Sequence, residues 1–300
     1  MNLRDQVPGF AALSEWLLGF SSKRGFPKWR SDFFREDMTG PAPRETGVPI
    51  TAERECVLLV DTFNRYFEPE NARAALAVLQ AAGYRVHLPQ PGGRPLCCGR
   101  TFLASGLVDE AKAEARRTIE ALRPYVERGV PVVGLEPSCL LGLRDEFLSM
   151  LPGADTEKLS VNAFLFEEFL AGEHAAGRLR LDLKPLPQKK ALLHGHCHQK
   201  AFAAMRAVQT ALELVPGLEV EAIEASCCGM AGAFGYEAAH YDVSMKMAEL
   251  SLLPRVRKAG ADELIVADGT SCRHQIHDGA GRAAVHVARV LEQALGVCRT

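Results

Sequence analysis

Apolar residues recur along the chain in short blocks, and most blocks are followed by a stretch with helical spacing. Residues 56–60, Cys-Val-Leu-Leu-Val, form a run that predicts a buried strand. A helix is predicted over 69–82, closed by Gly83, and a second strand over 84–88. Ala111, Ala115, Ile119 and Leu122 share one face of a helix predicted over 109–128, with Gly129 at its end. The next strand is 130–135. The order then repeats: strand 191–194, helix 201–214 closed by Gly217, strand 218–223, helix 241–258 and strand 263–267. Alternation of this kind predicts an α/β fold with parallel sheets. We read two tandem, pseudo-twofold-related units, each a mostly parallel sheet flanked by helices, over residues 51–180 and 181–300. Residues 1–50 form an N-terminal helical arm and linker. Phe10, Leu13, Trp16, Leu17 and Phe20 lie at helical spacing in it, 23–35 is basic, and 40–49 reads as linker. The arm either packs on the body of the protein or offers a docking surface to a partner.

Composition narrows the class. The 300 residues are 47% hydrophobic with a net charge of −2, which supports sizeable cores and no strong field for nucleic acid or membrane. No apolar run reaches the roughly 18 residues needed to cross a bilayer. Asp5, Gly9 and Glu15 interrupt any signal-peptide core. A cytoplasmic setting is expected, peripheral to a membrane only through partners, and thiols there stay reduced.

The cysteines carry the chemistry. Leu96-Cys97-Cys98-Gly99 is repeated as Ser226-Cys227-Cys228-Gly229, and Pro137-Ser138-Cys139 as Thr270-Ser271-Cys272. With Cys197, seven of the nine cysteines fall in this pattern. Each lies in a loop after a predicted strand, where open parallel sheets bind ligands. Soft thiolates select iron–sulfur clusters, zinc or copper(I). Cys197, Cys227, Cys228 and Cys272 are the four-thiolate complement of a [4Fe-4S] cluster. The first unit aligns only Cys97, Cys98 and Cys139, with Thr62 where the second has Cys197. That unit holds an incomplete site or lends thiolates to a shared centre. Cys56 begins a strand and is expected to be a buried hydrophobe, and Cys298 a free thiol. Zinc is the alternative metal, although its usual Cys-x₂₋₄-Cys pairs are absent.

His194, His196 and His198 alternate around Cys197, which on an extended strand puts the three rings on one face; where that regularity fails at a strand end, one histidine could ligate the metal or donate to a sulfur. His196 and His198 are candidates to support the sulfurs, as are His274 and Gly229, whereas His194 is expected to be satisfied by backbone groups. The glycines at 229, 232 and 235 suggest backbone fitted closely around a cluster.

Five stretches carry a family likeness: Val60-Asp61-Thr62-Phe63, Glu136-Pro137-Ser138-Cys139, His194 through Lys200, Cys227 through Gly232, and Ala267 through Arg273. They resemble the cysteine-rich CCG domain family. That family includes the B subunit of heterodisulfide reductase and the iron–sulfur subunits of glycolate oxidase, lactate-utilisation enzymes and anaerobic glycerol-3-phosphate dehydrogenase. A narrower resemblance, over about residues 55–290, is to the C-terminal part of FAD-linked D-lactate or D-2-hydroxyglutarate dehydrogenases. Two departures matter. The family pattern has cysteine where Thr62 stands, and neither a ferredoxin-like cysteine segment nor a flavin domain is seen in this sequence.

The resemblance implies an iron–sulfur electron-transfer module. FAD would sit on a partner flavoprotein carrying ferredoxin-type clusters, and electrons would pass on to a quinone, a cytochrome or another acceptor. Two rivals remain: a zinc-stabilised interaction module, and a dithiol or heterodisulfide-type oxidoreductase using Cys97-Cys98 or Cys227-Cys228.

Overall fold

A computed structural model describes residues 2–37, 54–89 and 92–296. The expected linker at 40–49 and Cys298 lie outside the described residues. Among the described residues, seven strands form two sheets, and every pairing of these strands is parallel. The first sheet holds β1 (Glu55–Leu59), β2 (Arg85–His87), β3 (Val132–Gly134) and β4 (Ala163–Leu165) in the order β2-β1-β3-β4. The second holds β5 (Lys190–Leu193), β6 (Glu219–Ala222) and β7 (Leu264–Val266) in the order β6-β5-β7. Three strands of one sheet thus repeat the order of the other, as the duplicated motifs require.

Burial explains the strand sequences. Val57 and Leu58 face opposite sides of β1 and both are buried, so the strand is apolar on both faces. The helix Pro69–Ala81 starts on a proline, whose fixed φ suits the first turn. The helix Val108–Val126 buries Ala111, Ala115, Ile119, Leu122 and Val126, the face read from its periodicity.

Two predicted helices are broken. The stretch expected over 241–258 forms Tyr241–Glu249 and Leu252–Arg257. Pro254 lacks the N–H that would bond the Leu250 carbonyl, and its ring crowds that turn. The helix expected from 201 begins earlier, as Cys197–Ala201, and resumes as Met205–Glu213 after Ala203 takes φ 56°.

The largest apolar cluster belongs to both units. It combines Cys56, Leu58 and Val133 from the first sheet with Ala191, Leu193 and Val266 from the second. Phe34 of the arm is fully buried in it. Arg24 of the arm is 1% exposed and donates to Gln275 (2.7 Å) and Asp278 (2.8 Å). The arm therefore packs on the body along part of its length. Its helix Phe10–Leu18 buries no residue, and Trp16 is 80% exposed.

Candidate metal centre

Both thiol sets form at the carboxyl ends of the strands. β1 leads through Asp61 into the short helix Thr62–Tyr66, and Asp61 caps it by accepting from the N–H groups of Phe63 (2.9 Å) and Asn64 (3.1 Å). β5 leads through His196 into Cys197–Ala201, and His196 Nδ1 accepts from His198 N–H at 3.2 Å. Thr62 and Cys197 are thus the first residues of equivalent helices. Cys139 and Cys272 are likewise each the third residue of a helix, Pro137–Leu140 and Thr270–Ala280.

The paired cysteines repeat a further detail. Gly99 N–H donates to Cys97 Sγ at 3.4 Å, and Gly229 N–H to Cys227 Sγ at 3.3 Å. Both glycines have positive φ, 73° and 87°. A Cβ on Gly229 would collide with the Ser244 carbonyl oxygen, so only glycine brings this amide onto the sulfur.

In the second unit the four thiols meet. Cys227 lies against Cys197 and Cys228, and Cys228 lies against Cys272. Cys227 is shifted toward the thiolate by its Cys197 and Cys228 neighbours, and Cys272 by Cys228, with His194 and His196 adding to the shift. Cys197 and Cys228 are pushed the other way, chiefly because they face Cys227. Lys200 faces all four sulfurs and donates to the Ser226 carbonyl at 2.9 Å and to that of Ala225.

In the first unit Cys97 lies against Cys98, Cys98 against Cys139, and Thr62 against Cys97. All three thiols are pushed up. The cause is the Cys98 neighbour for Cys97 and the Cys139 neighbour for Cys98, with burial adding to both. At Cys139 the Cys98 contact favours the thiolate, but burial and the charges of Asp61 and Glu136 outweigh it and leave the thiol at about 11. The second pocket is faced by His194, His196 and Lys200, the first by two carboxyls. Sequence reasoning did not find this difference, because Asp61, Glu136 and Lys200 reach the sulfurs only through the fold.

The histidines depart from the strand reading. β5 ends at Leu193, so the three rings do not share one strand face. His196 and His198 stack, with ring centroids 5.1 Å apart. His274 Nδ1 pairs with the Tyr236 hydroxyl at 2.7 Å. His194 was expected to be satisfied by backbone groups. It is 0% exposed, neither ring nitrogen has a hydrogen-bond partner, and a ring nitrogen lies within 4.8 Å of Cys228 and Cys272 Sγ. Cys56 is 0% exposed, and burial pushes its thiol up to about 12, so it is the inert hydrophobe expected.

The units are joined behind the thiols by buried polar groups. Thr270 N–H donates to Glu136 at 2.9 Å, and its hydroxyl to Glu68 at 3.0 Å. Arg273 Nε donates to Glu68 at 2.8 Å. Burial pushes the Glu68 carboxyl up, but the Arg273 charge and hydrogen bonds outweigh it and hold the group at about 2. Glu167, Asp268 and His286 are all 0% exposed, and neither Glu167 oxygen has a hydrogen-bond partner.

Comparison with known proteins follows the same outline. The family model for the CCG cysteine-rich domain matches residues 56–144 and 191–277. The chain is 31% identical over 234 residues to the C subunit of anaerobic glycerol-3-phosphate dehydrogenase of Escherichia coli, covering 78% of this chain and 57% of that protein. It is 29% identical over 257 residues to D-2-hydroxyglutarate dehydrogenase of Pseudomonas putida, covering 85% of this chain and 24% of that protein. It is 27% identical over 241 residues to lactate utilization protein A 1 of Bacillus mycoides, covering 76% and 92%. The chain therefore spans little more than half of the first relative.

Proposed function

The chain belongs to the CCG cysteine-rich domain family, and from that premise we propose that it is the iron–sulfur electron-transfer module of a flavin-linked dehydrogenase. The observation that carries this reading is the convergence of Cys197, Cys227, Cys228 and Cys272, four free thiols from three separate segments of one unit. The donor set fits the group: four soft sulfurs match an iron–sulfur centre, probed first as [4Fe-4S]. Such a centre accepts and releases single electrons. The protein's own part is to hold the four sulfurs, to bond Cys227 through the Gly229 amide, and to set Lys200 and two histidines against their negative charge.

Cys97, Cys98 and Cys139 fall one thiolate short, because Thr62 occupies the fourth position. With Asp61 and Glu136 beside Cys139, we assign that set as the secondary metal site. Residues 51–180 and 181–300 are taken as the two units. FAD is assigned to a partner flavoprotein with ferredoxin-type clusters, and the acceptor to a quinone or cytochrome. No described helix is long and apolar enough to cross a membrane. The dehydrogenase substrate class, a 2-hydroxy acid or glycerol 3-phosphate, is drawn from the names of the relatives.

The test is anaerobic purification of the full chain with iron and acid-labile sulfide analysis and EPR. Iron and sulfide with a reducible EPR signal support the proposal. Zinc alone, or a metal-free protein after anaerobic reconstitution, overturns it.

A further inference from the structure

The His194 imidazole of the second pocket is buried without a hydrogen-bond partner. Its residue follows β5 directly, and its backbone N–H donates to the Val266 carbonyl at 2.8 Å, which holds it in register with β7. Behind it, a Cβ on Gly195 would collide with Met205 Sδ, so the backbone is closely packed at this turn. The ring is fully buried, and neither nitrogen is hydrogen-bonded. A buried polar group left this way is costly, and native folds nearly always supply a partner.

The partner is indicated by what surrounds the ring. One nitrogen and the sulfurs of Cys228 and Cys272 all lie within 4.8 Å of one another, and all three residues are buried. The ring makes no aligned hydrogen bond to either sulfur, yet it lies close enough to draw the Cys272 thiol toward the thiolate. That proximity puts the ring within reach of a metal centre that the two sulfurs would hold. Imidazole is a suitable ligand for iron. The matching stretch of the first unit, Leu59-Val60, offers only apolar side chains.

We propose that His194 is a nitrogen ligand of the second unit's metal centre, beside Cys228 and Cys272. This rests on the iron–sulfur reading and adds to it a neutral donor beside the thiolates. Imidazole in place of thiolate raises the potential of an iron–sulfur centre, so the centre with His194 would be a better electron acceptor than the same centre with a thiolate at that position.

The experiment is pulsed EPR on the anaerobically prepared full chain in its paramagnetic state, grown with ordinary or ¹⁵N-labelled histidine. A nitrogen hyperfine coupling of the strength given by directly bound imidazole, altered by the label, is expected. It should persist in His196→Gln and His198→Gln and vanish in His194→Cys. The His194→Cys protein should keep its iron and sulfide and show a lower midpoint potential. A loaded centre with no coupling, or only the weak coupling of a hydrogen-bonded ring, overturns this proposal alone. A preparation without iron and sulfide defeats the underlying reading and this proposal with it. The labelled wild-type chain gives the answer even if the cysteine variant does not fold.

Discussion

Replacing Gly229 by alanine tests whether the second pocket depends on close backbone approach. Its φ of 87° costs an L-residue about 1–2 kcal/mol. The new Cβ would also collide with the Ser244 carbonyl oxygen. That oxygen cannot easily retreat, because it accepts from Gln275 Nε2 at 3.0 Å, and Gln275 is itself held by Arg24. Overpacking of this kind costs roughly 1–3 kcal/mol. The sum, about 2–5 kcal/mol, is a large part of the roughly 5–15 kcal/mol that keeps a domain folded. Gly232→Ala is the control: φ is 67°, yet nothing lies within 4 Å of its Cβ position, so only the backbone cost applies. Urea unfolding of the metal-free proteins under anaerobic conditions should place Gly229→Ala below Gly232→Ala by the overpacking cost. Iron retention after reconstitution should fall in Gly229→Ala and hold in Gly232→Ala. Equal stabilities with equal iron contents would refute the reasoning, since the Ser244 contact would then carry no weight.

Other outcomes are expected. Serine at Cys197, Cys227, Cys228 or Cys272 should remove the main iron signal, while Cys56→Ser should retain it and lose about 1–3 kcal/mol through a hydroxyl buried in the core; an intact signal in any of the first four would show that the ligand set is misassigned. Burial, and then the nearby Asp268 charge, raise the Glu167 carboxyl well above its ordinary value. Its contribution to stability is therefore full below the unfolded carboxyl range and is lost as pH rises toward the folded pKa. Chemical unfolding should show Glu167→Gln gaining on the wild type by up to about 1.4 kcal/mol per pH unit in that window, and a difference that does not change as pH rises above the ordinary carboxyl range would count against it. Trp16→Ser should weaken electron delivery from the flavoprotein partner in a coupled assay while leaving the EPR signal unchanged, and unaltered coupling would remove the arm helix from the docking surface. Deleting the whole arm is a poorer test, because Arg24 and Phe34 are buried in the body.

Much of the architecture was legible in the chain because the motifs are duplicated. Cys97-Cys98 and Cys227-Cys228 report two copies of one unit, and short apolar or alternating stretches, most of them beside a glycine, marked six of the seven described strands. β4 was missed because Ala163–Leu165 runs directly from one helix, Ala154–Asn162, into the next, Phe166–Ala175, with no glycine or proline to mark its ends. The start of a helix at Cys197 was also hidden. Alternating histidines imitate a strand, and the cap that ends the strand, His196, is not among the usual capping residues. His194 was misjudged for a related reason. Spacing gives its place in the chain, but only the fold shows that no backbone group reaches its ring. The residues behind the contrast, Asp61, Glu136 and Lys200, stand within three positions of Thr62, Cys139 and Cys197, but only the fold shows that their charges reach the sulfurs.

The apolar cluster that spans both sheets separates folding from metal loading. In a small metal domain the ion substitutes for a core, and the chain unfolds when it is removed. Here β1, β3, β5 and β7 are fastened by buried hydrocarbon that includes none of the proposed ligands. Each pocket is thus built on a frame that stands without its metal. Threonine at position 62 can occupy a ligand's place at no cost to architecture, because the neighbouring unit helps to hold the first sheet. On the proposed reading, a centre lost to oxygen would leave the shared core of the two sheets in place, so that the pocket could be refilled without refolding the chain.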